Sequence, residues 1–537
     1  MRGRATKHNL TDTKAAIPAS HSAPLEISSL HYAALWTALA VAIFLAFILN
    51  LHAIPLFDVD EGAFSEATRE MLASGDYITT YMNGSLRFDK PILIYWLQAF
   101  SASLFGIDEF AFRLPSVLAT VGWIGAILVF TRQQSDRTTG LIAALMTAST
   151  LGIVIIGRAA IADALLNLFL VLALFDIYRY LEQPQPKLIW RTYLWIGLGL
   201  LTKGPIAVLI PFAAGSITFL LHGKFRTWLK AMFNPVGWII LLAVAAPWYV
   251  LEYLQQGQAF IDGFFLRHNI DRFRNPMQGH SGGFLYYLPA LLFLLLPYTG
   301  LFIRILPTLR LMRRSPLSTF LWSWFLFVLV FFSLSSTKLP HYLIYGLTPL
   351  FILMSINRDR LASLWLAFAP PVAFLCLVLA LPNLVSILSV RLENIYFREM
   401  LSRQDVFGTV YYVSGSLLLI AALLLAMHRR LSIFTRLAGM GILCTYALAG
   451  LALPAIVDLQ QGPVKEAALI ARQSGMPVTR WQIHMPSFSV YLGNVTKAYV
   501  PTAENVIIFT RVDKMGGLGP VEILYRKGGI VLVKKTR

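Results

Sequence analysis

The chain has 537 residues, of which 57% are hydrophobic and only 13% are charged. A soluble domain of this length could not bury so much apolar surface, so the composition predicts an all-α polytopic membrane protein. The net charge of +18 does not indicate nucleic-acid binding. Lys and Arg recur in short loops between apolar stretches, which is the distribution that the positive-inside rule requires.

Residues 1–30 form a polar segment ahead of the first apolar stretch. The segment contains Arg2, Arg4, Lys7 and Lys14, but it has neither an apolar run nor a small-residue cleavage site. These features are typical of a cytoplasmic N-terminal tail rather than of a signal peptide.

About thirteen apolar stretches have the length of a membrane span. They lie near residues 32–54, 114–130, 141–156, 165–181, 193–201, 206–221, 236–251, 284–303, 320–334, 343–356, 361–381, 410–427 and 431–454. Lys203-Gly204-Pro205 separates the fifth from the sixth, because proline breaks a helix and a lysine is costly at mid-membrane. We therefore predict a transmembrane domain over residues 31–456.

Short loops that contain two or more Lys or Arg alternate with these stretches. With the tail inside, the basic loops fall on the cytoplasmic side, at residues 132–137, 179–191, 224–230, 304–314, 358–360 and 428–436. The first long loop, residues 56–111, then lies on the periplasmic side. It holds an amphipathic segment at 61–74 and an apolar segment at 91–105 that is shorter than the roughly twenty residues of a span. We expect both to be interfacial helices.

Residues 457–537 differ from the rest of the chain in their pattern. A helical stretch at 464–474 is followed by short runs with β-strand character, and Gly, Pro and Asn separate them. These runs are residues 479–483, 488–492, 505–511 and 521–526. We predict a small α/β domain on the periplasmic side.

Three carboxylates, in Asp58-Val59-Asp60-Glu61, open the amphipathic segment of the first loop. Acids are stabilising at a helix N-terminus, where one cap contributes about 1 kcal/mol. Capping accounts for one of them but not for all three at the mouth of a membrane protein, where charges near a dry core are usually functional. We expect Asp60 to act in catalysis or ligand binding, with capping as the alternative.

Other ionisable residues of the periplasmic side allow a functional and a structural reading. In Arg87-Phe88-Asp89-Lys90-Pro91, Lys90 would pair with a phosphate and Asp89 with a cation or a sugar hydroxyl; the alternative is a snorkelling lysine beside a turn. Arg158 and Asp163 flank four apolar residues and would form a local ion pair. Alternatively, Asp163 shares a face with Asp60 and forms a carboxylate pair with it.

Three further positions complete the set of candidates. Lys203 at the helix break would offer its charge to an anion near a helix terminus, or merely anchor the break. The segment His268-Asn269-Ile270-Asp271-Arg272-Phe273-Arg274 is basic, and arginine suits phosphate binding. His268 would be a hydrogen-bonding residue or a metal ligand. The last candidate is the segment Lys338-Leu339-Pro340-His341-Tyr342. Its structural alternative is an interfacial anchor.

Together these residues place several cations and at least two carboxylates on one face of a lipid-embedded protein. That set suits an amphiphilic substrate with an anionic headgroup. Its phosphate would bind Lys and Arg, and the carboxylates would bind a sugar or an acceptor. The sequence contains no Walker loop and no G-x-G-x-x-G motif.

The stretch from Asp60 to Asp76, DEGAFSEATREMLASGD, resembles the first periplasmic loop of bacterial lipid A aminoarabinose transferases. These enzymes belong, with the protein O-mannosyltransferases, to the polyprenyl-phosphate-dependent GT-C glycosyltransferases. Phe88-Asp89-Lys90-Pro91 is similar to that family's Phe-Glu-Lys-Pro. Further matching motifs follow in the family's order: Thr202-Lys203-Gly204, Arg272-Phe273, Tyr286-Tyr287-Leu288-Pro289 and Lys338-Leu339-Pro340-x-Tyr342.

The resemblance implies a GT-C fold and assigns roles to individual residues. Asp60 and Asp163 match the family's two key aspartates. Lys90, Arg272 and Tyr342 match residues that hold the donor phosphate, and we add Lys203 to them. Glu61 and Arg158 are taken as supporting residues.

The sequence departs from the family at two positions that are associated there with a divalent metal ion. Asp89 replaces a glutamate, and His268-Asn269 stands where an acidic residue followed by histidine is expected. Because the resemblance places Asp89 and His268 at these metal-associated positions, they are the candidate ligands of a divalent metal cofactor.

We expect a glycosyltransferase of the bacterial inner membrane that uses an undecaprenyl-phosphate-linked sugar as donor. The expected acceptor at the periplasmic face is lipid A or a related glycolipid, and the alternative acceptor is a protein. A lipid-linked-sugar flippase is the alternative of another class, although transporters place ionisable residues near mid-membrane on internally repeated, broken helices. The expected partners are the lipid-linked donor, the acceptor and membrane lipids, and no nucleic acid.

Overall fold

The computed structural model describes residues 29–271, 282–500 and 505–535. The predicted N-terminal tail therefore lies almost wholly outside the described residues, and so does Arg272. The described chain is mostly helical. In the first half, the α-helices are Ser29–Ile43, Asp60–Ser74, Leu93–Phe105, Glu109–Gln134, Arg137–Ala148, Leu151–Gly157, Asp163–Glu182, Pro186–Lys203, Ile206–Leu221, Phe225–Met232, Pro235–Gln256 and Gln258–Phe260.

The second half continues the helical architecture. Its α-helices are Tyr287–Leu294, Thr299–Ile305, Pro316–Leu334, Leu347–Ile356, Leu364–Arg391, Ile395–Leu401, Thr409–Met427, Ile433–Tyr446, Leu453–Ser474 and Pro486–Leu492. Segments of π-helix lie at Phe44–Ile48, Ile261–Asp271 and Ala447–Ala452. Segments of 3-10 helix lie at Phe284–Tyr286, Leu306–Arg314, Pro340–Gly346, Arg358–Arg360, Gln404–Val406 and Val512–Gly517.

Among the described residues, 7 helices are long and apolar enough to cross a membrane, and 9 are if each of two bent pairs counts as one span. Shorter apolar helices include Tyr32–Ile48, Ile206–Leu221 and Pro340–Ile356. These helices and Pro186–Lys203 together overlap every stretch for which the sequence predicts a span. The composition thus produces a bundle of apolar helices, as expected.

Two of the predicted spans are broken rather than continuous. Arg137–Ala148 and Leu151–Gly157 meet at 66°, and Phe284–Leu294 and Thr299–Arg314 meet at 119°. The second break contains Pro297, which has no N–H to continue the helical ladder. The Leu296 carbonyl at that break accepts a hydrogen bond from the Leu151 amide at the other (2.9 Å). One backbone N–H of the first break and one backbone carbonyl of the second are therefore paired with each other, without water.

The break predicted at Lys203-Gly204-Pro205 is confirmed. The helix Pro186–Lys203 ends at Gly204, whose φ of 77° lies in the left-handed region that favours glycine. Pro205 then precedes the helix Ile206–Leu221.

The two helices expected in the first loop are present as Asp60–Ser74 and Leu93–Phe105. The first of them differs from a surface amphipathic helix, because its residues from Glu61 to Met71 are all buried. Two of its charged residues pair with each other, since Arg69 donates two hydrogen bonds of 2.7 Å to Glu66. Arg69 also donates to the Gly493 carbonyl of the C-terminal region (3.2 Å). The C-terminal region covers the face that the sequence pattern assigns to water.

The C-terminal region contains a small sheet, as predicted. A hairpin of β1 (Tyr81–Met82) and β2 (Ser85–Leu86) comes earlier in the chain. The sheet itself contains β3 (Val478–Arg480), β4 (Lys497–Ala498), β5 (Ile507–Arg511), β6 (Val521–Lys527) and β7 (Ile530–Lys535). Its order is β4-β3-β5-β7-β6; β3 pairs parallel with β4 and β5, and β7 pairs antiparallel with β5 and β6.

The strand predicted at residues 488–492 is wrong, because this segment is the helix Pro486–Leu492. Proline at its first position and left-handed Gly493 after its last favour a short helix. Phe488 and Val490 are both buried, since the segment packs between the sheet and the helix Asp60–Ser74. Burial on several sides removes the periodicity that distinguishes a helix from a strand.

The connection between the apolar bundle and the C-terminal sheet is a helix rather than a loop. Helical backbone runs without interruption from Ile433 to Ser474 through the π-helical segment Ala447–Ala452. The domain boundary predicted between residues 456 and 457 falls inside this helix.

Candidate active site

A cavity of about 550 Å³ lies between the ends of several helices and the C-terminal region. Seven of the candidate residues line it: Asp60, Asp89, Lys90, Asp163, Lys203, His268 and Tyr342. They come from positions that span most of the chain. The structure therefore brings together the carboxylates and cations that the sequence assigns to one face.

Asp60 lies in the first turn of its helix and faces this cavity. Asp60 is the first residue of the helix, and the N-cap residue is Val59. In the described part of the chain the Asp60 carboxylate makes no hydrogen bond or ion pair, so it caps no backbone group there and remains available to a ligand in the cavity.

Asp163 is held by partners that come from distant parts of the chain. Lys203 Nζ lies 2.7 Å from Asp163 Oδ1 and also donates to the Tyr345 hydroxyl (2.7 Å). That hydroxyl donates to the same Asp163 oxygen (2.5 Å). Asp163 begins one helix and Lys203 ends another, so each charge lies at the helix end whose dipole stabilises it.

The local ion pair between Arg158 and Asp163 is not formed. Arg158 instead donates hydrogen bonds to the carbonyls of Leu49 (2.6 Å) and Ala46 (3.4 Å) at the end of the first helix. Arg158 is buried and does not line the cavity. Its contacts fit a structural role in joining the first helix to the segment before Asp163.

Glu61 belongs to a buried ion pair with Arg113 and does not line the cavity. Its two carboxylate oxygens accept hydrogen bonds of 2.8 and 2.6 Å from Arg113. One of them also accepts the Ala160 amide (2.8 Å). Burial acts to raise the pKa of Glu61, but the charge and hydrogen bonds of Arg113 lower it below its ordinary value. Glu61 thus fixes the segment that carries Asp60 against the segment that leads to Asp163.

Asp89 forms a second charged group at the cavity wall. His268 Nε2 lies 2.7 Å from one carboxylate oxygen, and Arg87 lies 3.1 Å from the other. Lys90 Nζ donates to the Asp89 main-chain carbonyl (2.8 Å). Burial acts to raise the pKa of Asp89, but the His268 hydrogen bond and the charges of Arg87 and Lys90 hold it well below its usual range. Asp89 is therefore an anion at neutral pH.

The two candidate metal ligands, Asp89 and His268, are adjacent but bind each other. Both Asp89 oxygens are engaged by His268 and Arg87. In residues 29–271, 282–500 and 505–535, no group of three His, Cys, Asp or Glu side chains is placed to hold a metal ion. A divalent metal at Asp89 and His268 stays a prediction, and no step below uses one.

The phosphate-binding candidates are arranged around the cavity. The Lys203 ammonium lies 5.5 Å from the ring centre of Tyr342, within the range of a cation–π contact. Lys90, Lys203 and Arg87 provide positive charge along the lining. The position of Arg272 relative to them is outside the described residues.

Two ionisable residues of the lining, Arg267 and His484, are not among the candidates from the sequence. Arg267 lies on the π-helix Ile261–Asp271, together with His268. Gly263 in this π-helix lies so close to Phe88 that a Cβ there would come within 2.5 Å of the ring. His484 comes from the C-terminal region, between β3 and the helix Pro486–Leu492. No local motif in the sequence marks either residue.

The model of one protein family matches residues 89–250 of this chain: dolichyl-phosphate-mannose-protein mannosyltransferase. A relative from Yersinia enterocolitica, the undecaprenyl phosphate-alpha-4-amino-4-deoxy-L-arabinose arabinosyl transferase, is 31% identical over 333 residues. This match covers 60% of this chain and 59% of the relative. The enzyme of the same name from Yersinia pestis matches to the same extent. The chain thus matches about three fifths of the length of these relatives.

Solved structures extend the likeness to nearly the whole chain. ArnT from Cupriavidus metallidurans bound to undecaprenyl phosphate superposes with a TM-score of 0.79 at 21% identity, covering 93% of this chain and 98% of that one. Its apo structure gives a TM-score of 0.77 at 20% identity, covering 94% and 98%.

The chain has the fold of ArnT. This finding confirms the resemblance that the first-loop motif indicates, and with the apolar helices it makes the chain a multi-pass membrane protein. Within the ArnT fold, the cavity lies where the first loop, the helix ends and the C-terminal region meet.

Proposed function

We propose that this protein is an integral-membrane glycosyltransferase that transfers a sugar from an undecaprenyl-phosphate-linked donor to an acceptor. One observation carries the proposal: Asp60, Lys90, Asp163, Lys203 and Tyr342, which are scattered along the sequence, line a single cavity. The cavity offers cations for a phosphate and a carboxylate for an acceptor. The likeness to the arabinosyl transferases of Yersinia supports the same reaction class.

The proposed reaction is a single displacement at the anomeric carbon of the donor sugar. An acceptor oxygen forms a bond to this carbon as the bond to the phosphate oxygen breaks, and the configuration inverts. Undecaprenyl phosphate leaves with the electron pair of the broken bond. Lys90 stabilises the charge that develops on the departing phosphate, which is electrostatic catalysis at a site of low dielectric constant.

Asp60 is the residue proposed to activate or orient the acceptor. A hydroxyl acceptor loses its proton to the Asp60 carboxylate, whereas an acceptor that is already an anionic phosphate is oriented by it. The absence of a hydrogen-bond partner among the described residues leaves the carboxylate available for this task. Asp163 is engaged by Lys203 and Tyr345, so we assign it to positioning the Lys203 ammonium toward the donor.

Arg272 is proposed as a further donor-phosphate ligand. It follows directly after the π-helix Ile261–Asp271, which carries Arg267 and His268 into the cavity lining. An arginine suits this role because its planar guanidinium binds two phosphate oxygens at once.

We infer thirteen spans, with the N-terminus in the cytoplasm of a bacterium and both the cavity and the residues after 456 in the periplasm. The basic loops support this orientation because they lie at the ends of helices away from the cavity residues. On this view Leu93–Phe105 does not cross the bilayer, since its 13 residues are fewer than a span needs.

Lipid A or a related glycolipid is the proposed acceptor, with an aminoarabinose as the proposed sugar. A protein acceptor is the second candidate, because the matching family model describes a protein mannosyltransferase. A flippase would move the same donor without cleaving it, and the broken helices of the bundle are compatible with one.

The deciding assay uses purified protein with radiolabelled undecaprenyl-phosphate-linked aminoarabinose and either lipid A or an acceptor protein. We expect free undecaprenyl phosphate to appear together with labelled lipid A. Label on protein instead would identify the second candidate. Translocation of intact donor across vesicles, with no phosphate lipid released, would refute the transferase.

A further inference from the structure

We propose that His484 of the C-terminal region is an acceptor-binding residue of the cavity. The proposal rests on the proposed function and names which substrate this residue contacts. His484 lines the cavity together with Asp60, Asp89 and Arg87. Among the described residues of the lining, it is the one that follows the long helix ending at Ser474.

His484 is exposed, whereas most of the other polar residues that line the cavity are buried or half-buried. Partial burial and the charges of Arg480 and Arg87 lower its pKa, and Asp89 acts in the opposite direction. The lowered pKa favours the neutral form of the His484 imidazole at pH 7. A neutral imidazole offers one hydrogen-bond donor and one acceptor, which suits a polar headgroup rather than tight binding of a single anion.

A buried contact fixes His484 relative to Asp60. The Asp58 carboxylate accepts a hydrogen bond from the Ser487 amide (3.0 Å) and another from the Ser487 hydroxyl. Asp58 lies two residues before Asp60, and Ser487 lies three residues after His484. This contact thus fixes the segment that carries His484 against the segment that carries Asp60, and both residues line the cavity.

Gly62 makes this contact sterically feasible. A Cβ at position 62 would come within 1.9 Å of an Asp58 carboxylate oxygen and 2.7 Å of the Ser487 amide nitrogen. The Gln461 amide, with its oxygen and nitrogen exchanged, bonds the carboxylate and the amide of Asp58 at 3.2 Å each. The C-terminal region is therefore docked through close backbone approach, and the docking carries His484 into the lining.

The position of His484 assigns it to the acceptor. The donor's polyprenyl chain remains in the apolar phase, and the proposed phosphate ligand Lys203 lies at the end of an apolar helix. His484 stands on a segment that belongs to the sheet region, whose strands and short helix are not membrane-spanning elements. On this assignment, Asp60 and His484 both contact the acceptor oxygen as it attacks the anomeric carbon and the bond to the phosphate oxygen breaks.

The test compares His484→Ala and His484→Gln with wild-type protein, and His428→Ala on an exposed loop serves as the matched control. Lipid A affinity, undecaprenyl phosphate affinity and the KM for lipid A are measured on protein in detergent. We expect His484→Ala to weaken lipid A binding and raise this KM by about three- to tenfold, the effect of one lost hydrogen bond. Undecaprenyl phosphate affinity should stay unchanged, and His484→Gln should recover part of the loss.

Each other outcome overturns the assignment. A loss of undecaprenyl phosphate affinity in His484→Ala would make the residue part of the donor site. Unchanged lipid A affinity in folded His484→Ala would leave it without a role in acceptor binding. Release of undecaprenyl phosphate by wild-type protein that does not bind lipid A would refute this inference while leaving the transferase itself standing. A wild-type protein that releases none would refute the proposed function instead.

Discussion

Lys203 and Asp163 lie 2.7 Å apart across the cavity wall, although they are separated by a helix, a loop and a second helix. Their side chains are 12% and 5% exposed, so the pair is largely removed from water. The Tyr345 hydroxyl joins both, which closes a three-membered network. Charged pairs in such surroundings are interdependent, because each partner compensates the desolvation of the other.

Removing one member of this pair is expected to cost stability as well as activity. Lys203→Met leaves a buried carboxylate without its charge partner, and we expect a loss of roughly 3 kcal/mol in unfolding free energy. The double variant Lys203→Met with Asp163→Asn should regain most of that stability and remain inactive. Thermal unfolding and transfer assays on both single variants and the double variant complete the cycle. Equal stability of Lys203→Met and wild type would contradict the pairing.

Asp60→Asn is expected to lower transfer by about a hundredfold or more, the usual contribution of general-base catalysis. Stability should change by no more than about 0.5 kcal/mol, because the carboxylate has no hydrogen-bond partner among the described residues. Asp359→Asn, in an exposed loop, is the control and should retain full activity. Wild-type turnover by Asp60→Asn, measured as released undecaprenyl phosphate, would remove Asp60 from the mechanism.

Asp58 is expected to make docking of the C-terminal region dependent on pH. Burial raises its pKa to about 7, against hydrogen bonds from Ser487 that lower it and the nearby charge of Glu61 that also raises it. The folded protein then binds more protons than the unfolded chain between the ordinary value of 3.8 and about 7. The stabilisation that Asp58 contributes is therefore complete at pH values below 3.8 and is lost as the pH rises through about 7.

The measurement compares unfolding of wild type and Asp58→Asn over that range of pH. The wild-type stability relative to the variant should fall with increasing pH, by at most about 1.4 kcal/mol per pH unit. Above about pH 7 the difference should become constant. A difference that does not vary with pH would show that Asp58 ionises in the same way in the folded and unfolded chains.

Gly62→Ala is expected to disturb the same contact by steric means. The added methyl group would meet the Ser487 amide nitrogen at 2.7 Å, and backbone cannot move as freely as a side-chain end. We expect a loss of about 1–3 kcal/mol, typical of overpacking. Gly125→Ala is the matched helical control, since nothing lies within 4 Å of a Cβ there. Protease sensitivity of the C-terminal region reports undocking, and equal resistance in both variants would argue against the close approach.

The positions of the apolar helices could be predicted from the sequence because they depend on local properties. The stop at Lys203 follows from Gly204 and Pro205 themselves, and the helix Asp60–Ser74 follows from its own pattern. The motif in the first loop likewise indicated the ArnT fold. Each of these features is encoded within a few residues, so no knowledge of the packing is needed.

The partners of the charged residues could not be predicted in the same way. Arg158 is close to Asp163 in sequence, yet the carboxylate pairs with Lys203, which lies 40 residues away. The strand predicted at residues 488–492 is part of the helix Pro486–Leu492, because burial on several sides removes the periodicity that distinguishes a helix from a strand.

Local sequence is enough to predict an apolar helical protein with a set of cations and carboxylates at the ends of its helices. Which of these residues meet depends on packing: Asp163 pairs with Lys203, Asp89 pairs with His268, and His484 lines the cavity that holds Asp60. Helix formation and membrane insertion depend on neighbouring residues, whereas ion pairs and cavity linings depend on how distant elements pack, for which a single sequence carries no periodic signal.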